Sequence, residues 1–140
     1  MVSDNPMAEI GWIPASHLDT PQAREWLGPQ VDLTLFQWHY QTFSIPQGGQ
    51  RILGSQYCDN QAYVVDKLHI GFQCHIEMQA EMVREWCNLS PEELRPEGQM
   101  LAAQAGIQSA AEILADLDQQ VQKLNLLAEH VYTRWSQGLK

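Results

Sequence analysis

Up to about residue 88 the apolar residues come in short aromatic and β-branched runs broken by Pro and Gly. Beyond it the chain is rich in Ala, Leu, Gln and Glu, with apolar positions at helical spacing. That change of period separates a strand-rich part from a helical one. Glu9 to Ala15 reads as a short strand closed by Pro14. Thr20 offers an N-cap, Pro21 a first helical position and Gly28 a stop, so 21–27 reads as a short helix. Leu33–His39, Arg51–Ser55, Gln61–Val65 and Leu68–Cys74 are further strands, with a turn at Ile45–Gly49 and a tight connection at Asp66–Lys67. Short strands on short turns favour antiparallel pairing.

In the second part Met78, Met82, Val83 and Trp86 form one apolar stripe, which predicts a helix. Ser90-Pro91-Glu92-Glu93 has the signature of another helix start. From Ala103 through Ile107, Ala110, Leu114, Leu117, Val121, Leu124, Ala128 and Val131 to Trp135, apolar residues alternate spacings of four and three. Such a seam either packs one or two helices on the domain's own sheet or joins a second copy. No Gly or Pro interrupts it after Gly106.

The chain has 140 residues, enough for one domain, and 44% of them are hydrophobic, enough for a core. Eight Lys and Arg stand against 17 Asp and Glu, for a net charge of -9, which opposes binding to nucleic acid or an anionic membrane. No apolar run is long enough to span a bilayer, and Met1–Pro6 is unlike a secretory signal. Three widely spaced cysteines do not make a disulfide framework, so a cytoplasmic setting is expected. The five histidines and three cysteines show no C-x-x-C or H-x-x-x-H spacing, and no Gly-rich phosphate loop is present. Neither a metal site nor a cofactor is therefore expected. His39 reads as a packed or strand-end histidine, and Tyr57, Asn60 and Gln61 as turn and strand-start residues.

The chemistry concentrates in Leu68-His69-Ile70-Gly71-Phe72-Gln73-Cys74-His75-Ile76-Glu77, an apolar strand ending in His, one spacer and Glu. In an extended chain residues two apart point to one side, so the Glu77 carboxylate can fix the His75 tautomer. A base with its orienter is two thirds of a nucleophilic triad.

Four stretches, in order, resemble class I glutamine amidotransferases. Glu9-Ile10-Gly11-Trp12 is one. The run from Phe36 to Gly49 is similar to that family's "WHxDTFxLPxGA", Ser55–Tyr63 to its "SxxCxNQAF", and Gly71–Glu77 to its "GxQFHxE". The likeness runs from about Glu9 to Trp86, and the tail ending in Arg134-Trp135 fits the stand-alone branch. It implies an α/β fold, the C-terminal half of a flavodoxin-like amidotransferase domain, with short, mostly antiparallel strands followed by C-terminal helices. Residues 1–77 would be its strand-rich part and 78–140 its helical tail. It also implies glutamine, or another γ-glutamyl compound, as substrate, with His75 as base and Glu77 as orienter. In the family a Cys thiolate takes the glutamyl group as a thioester, ammonia leaves, and water releases glutamate.

The departures are specific. No G-x-C-x-G elbow surrounds Cys58, Cys74 or Cys87, and Tyr40 and Gln41 replace the usual small residue and Asp. Cys74 stands at the family's Phe position and reads as a buried apolar residue. The nucleophile and oxyanion-hole half, which the family carries upstream, is expected to be missing. The chain alone should then be inactive, with that half or a synthase as partner. An uncovered sheet and seam would favour self-association. The alternative is a non-catalytic module that binds a partner through its sheet edge or heptad helix.

Overall fold

The computed structural model describes residues 1–100 and 102–139. Five strands, β1 (Val2–His17), β2 (Asp32–Phe43), β3 (Gly49–Ser55), β4 (Ala62–Val65) and β5 (His69–Phe72), form one sheet in the order β2-β1-β3-β4-β5. Every named pair is antiparallel, as the short turns implied. The helices are α1 (Pro21–Leu27), α2 (Ala80–Leu89), α3 (Ala110–Leu114) and α4 (Leu117–Gln137).

Local chemistry explains the elements that the sequence marked clearly. The Thr20 hydroxyl accepts from Ala23 N at 3.1 Å, Pro21 opens α1, and Gly28 ends it at φ 84°. Asp66 and Lys67 both take left-handed backbone, and Leu68 N closes the β4–β5 hairpin on Val65 O at 3.1 Å. A stop at Pro14 is not observed, because β1 runs through it to His17. The amides of Ile10 and Trp12 point away from β2, to Gly106 O and the Gln108 side chain. The absent N–H of Pro14 falls on that same side, just before the β3 pairing starts at Ala15, so no ladder bond is lost.

The long seam is divided. Ala102–Gln104 form a 3-10 turn, residues 106–108 lie along β1 as a short parallel rung, and Asp116 breaks the helix at φ 50°. Ile113, rather than Leu114, is buried on α3. From Leu117 to Val131 the seam behaves as read: Leu117, Val121, Leu124, Ala128 and Val131 are buried, with α4 against α1 and β2, whereas Trp135, its last member, is exposed. The chain's own elements cover this stripe, so its burial does not call for a second copy. Ser90-Pro91-Glu92-Glu93 makes only a 3-10 turn at Pro91–Glu93, without a side-chain cap.

The central pair β1–β2 presents two faces. One carries Ile10, Trp12, Phe36 and Trp38, paired Ile10↔Trp38 and Trp12↔Phe36. Trp86 of α2 packs on the Phe36 and Trp38 rings, and the Trp12 indole donates to Ile113 O at 3.0 Å. The other carries Glu9, Gly11 and Ile13 opposite His39, Gln37 and Leu35. Buried Arg95 bonds Ile107 O, Gln99 O and the Glu112 carboxylate, anchoring the 106–108 rung to the start of α3. No described helix is long and apolar enough to cross a membrane.

Candidate active site

His75 follows β5 and precedes α2, and the core fixes its backbone. Its N–H donates to Phe36 O at 2.9 Å, which ties it to the middle of β2. Its ring stands edge-on to Trp86, centroids 4.9 Å apart and 87° between planes. The Nδ1 atom is 2.8 Å from Glu77 Oε1. A carboxylate only accepts, so this contact puts the hydrogen on Nδ1 and leaves the lone pair on Nε2. Among the described residues no hydrogen bond reaches Nε2. The side chains of His75 and Glu77 are 29% and 47% exposed, so the pair is neither sealed in the core nor free in solvent.

Two cavities meet at this histidine. One, of about 490 Å³, lies between Ile70, Phe72 and Glu77 on one side and Val131, Tyr132 and Trp135 of α4 on the other. The second, of about 450 Å³, is walled by Trp38, Trp86, Leu89 and Ser90. Beside it Trp38 Nε1 and Tyr40 Oη both donate to Glu93 Oε2, at 2.9 and 2.8 Å. Those bonds hold the Glu93 carboxyl below its ordinary range. Partial burial and the Glu93 anion push the Tyr40 phenol up to about 12.

Cys58, Cys74 and Cys87 are all buried, and burial pushes each thiol above its ordinary value. An activated cysteine needs the opposite shift.

The remaining matched stretches meet elsewhere, around Glu9. This carboxylate is fully buried. It takes hydrogen bonds from Ser55 Oγ at 2.6 Å and Gln61 Nε2 at 2.5 Å, and faces His39 Nε2 at 3.0 Å. Cys58 Sγ lies 3.3 Å from Thr42 Oγ1, and Asn60 Nδ2 donates to Phe43 O at 2.7 Å. His39 is packed, as its sequence context suggested. Gln61 is more than a strand-start residue, and Glu9 is the hub that sequence reasoning missed. The available signal was a carboxylate opening an otherwise apolar strand.

A glutamine amido transferase from Methylobacillus flagellatus is 61% identical with a TM-score of 0.94; the match covers 100% of this chain and 56% of that one. A glutamine amidotransferase from Thermotoga maritima is 26% identical with a TM-score of 0.75, covering 96% of this chain and 54% of that one. No family model and no curated protein matches. The chain spans about half the length of the solved structures it matches.

Proposed function

The chain belongs with the glutamine amidotransferases over the half of their length that it spans, and on that premise we propose that it supplies the base side of a class I glutaminase site. The observation that carries this reading is the His75 Nδ1–Glu77 contact at 2.8 Å, with no hydrogen bond to Nε2 among the described residues and two cavities beside it. Glu77 holds the ring and stabilises the imidazolium, and Nε2 moves the proton. The nucleophile is a cysteine thiolate outside these 140 residues, since Cys58, Cys74 and Cys87 are buried with raised thiols. Nε2 first takes the proton of that cysteine's thiol, and the thiolate attacks the side-chain amide carbon of glutamine. The C–N bond breaks, the Nε2 proton goes to the departing nitrogen, and a γ-glutamyl thioester remains. Water then adds, giving a proton to Nε2 and hydroxide to the acyl carbon, and glutamate and the thiolate are released.

The test is complementation. The chain is assayed for glutamate release alone, and again mixed with the part of the Methylobacillus protein that it does not cover. It should be inactive alone and active in the mixture. Turnover by the isolated chain, abolished by Cys74→Ala, would overturn the division of labour. Stable association without turnover would favour the non-catalytic module instead.

A further inference from the structure

His39 Nδ1 lies 2.9 Å from Gln41 O, an atom that can only accept, so Nδ1 carries a hydrogen. Its Nε2 faces Glu9 Oε2 at 3.0 Å. A bare imidazole lone pair against a carboxylate oxygen is repulsive, so a proton or a cation must stand between them. Two further observations favour a metal ion. Cys58 Sγ lies within 4.8 Å of both the Glu9 and the His39 ligand atoms, and all three residues are buried. Gln61 is also fully buried, and among the described residues its Oε1 has no hydrogen-bond partner although its amide nitrogen touches Glu9.

We infer that Glu9, His39 and Cys58 form a zinc-binding centre. A thiolate, an imidazole and a carboxylate are a donor set suited to Zn²⁺. A backbone carbonyl on the far ring nitrogen is the usual support for a ligating histidine. Two metal bonds of about 2.0 Å at a tetrahedral angle put N and O about 3.3 Å apart, close to the separation already present. The charges also close, since one carboxylate and one thiolate neutralise the dication, leaving a neutral buried centre. Cys58 loses its proton on binding, and the proton shared by His39 and Glu9 leaves as well. The ion ties β1, β2 and the β3–β4 connection together and takes no part in the chemistry at His75. Spacing rules gave no sign of it because the donors come from three separate stretches.

The experiment is a Co²⁺ and Zn²⁺ titration of the full chain after chelator treatment. Co²⁺ should produce a thiolate charge-transfer band in the near-ultraviolet and tetrahedral bands in the visible, both erased by Zn²⁺. Zn²⁺ should raise the unfolding temperature. Cys58→Ser should lose the charge-transfer band and Cys87→Ser should keep it. Calorimetry of the unmutated chain in two buffers should show release of about two protons per ion, a readout independent of how the variants fold. No thiolate band, or an unfolding temperature unmoved by saturating Zn²⁺, would overturn the site and leave His39 and Glu9 sharing a proton. Binding with a thiolate band that survives Cys58→Ser would overturn it too.

Discussion

Two residues apart and joined at 2.8 Å, His75 and Glu77 divide one task between them in the mechanism we propose. In the complemented enzyme His75→Asn should cost on the order of 10⁶ in kcat, since it removes the proton carrier. Glu77→Gln should cost less, on the order of 10⁴, because the ring keeps a hydrogen-bonding neighbour. Equal losses in single-turnover assays would assign Glu77 a different part. Tyr40 offers a second measurement. Its phenol ionises near 10.0 in the unfolded chain and near 12 in the fold. Below that window both states hold the proton. Within it the folded state holds more protons, so stability falls as pH rises. The unfolding midpoint should drop between those values, and Tyr40→Phe should flatten the drop. Identical profiles would mean that the Tyr40–Glu93 contact does not form in solution. At this scale the sequence disclosed what is local. The His–Glu pair was readable because its members are neighbours. The Glu9 hub was not, because His39, Ser55 and Gln61 lie 30, 46 and 52 residues away from it.

Elements were legible wherever a terminus carries its own chemistry. Thr20, Pro21 and Gly28 define α1 without help from the rest of the molecule. The separation of α3 from α4 carries no such mark. Asp116 turns left-handed, a conformation usually left to Gly or Asn, and a heptad count passes over it unchanged. The count nevertheless found the buried stripe of α4, and its burial makes a sharp prediction. Leu124 is 1% exposed and Leu126 is 64% exposed. Leu124→Asp should destabilise the chain by about 4 kcal/mol or more. Leu126→Asp should stay within about 0.5 kcal/mol. Urea unfolding followed by circular dichroism compares them directly. If Leu124→Asp instead gave a folded monomer from a larger wild-type assembly, the stripe would be an intermolecular seam.

For the molecule as a whole, the order of the four matched stretches identified the family side of the fold, while their spatial grouping needed the structure. Three of them, from β1, from β2 and from the β3–β4 connection, converge on Glu9. The fourth ends apart from them at His75, joined to the rest by the β4–β5 pairing and by backbone bonds from Gln73 to Gln61 and from His75 to Phe36. Framework and chemistry thus occupy separate places in one sheet. The bond between His75 and Glu77 has a further consequence. It closes within three consecutive residues on a backbone already anchored to the core, so tautomer and ring direction are set before any other part of the site arrives. On the proposed mechanism, assembly of the full site would then reduce to a docking problem with a single rigid-body placement, that of one sulfur atom against one nitrogen. The entropy of the other internal rotations has been spent within this chain.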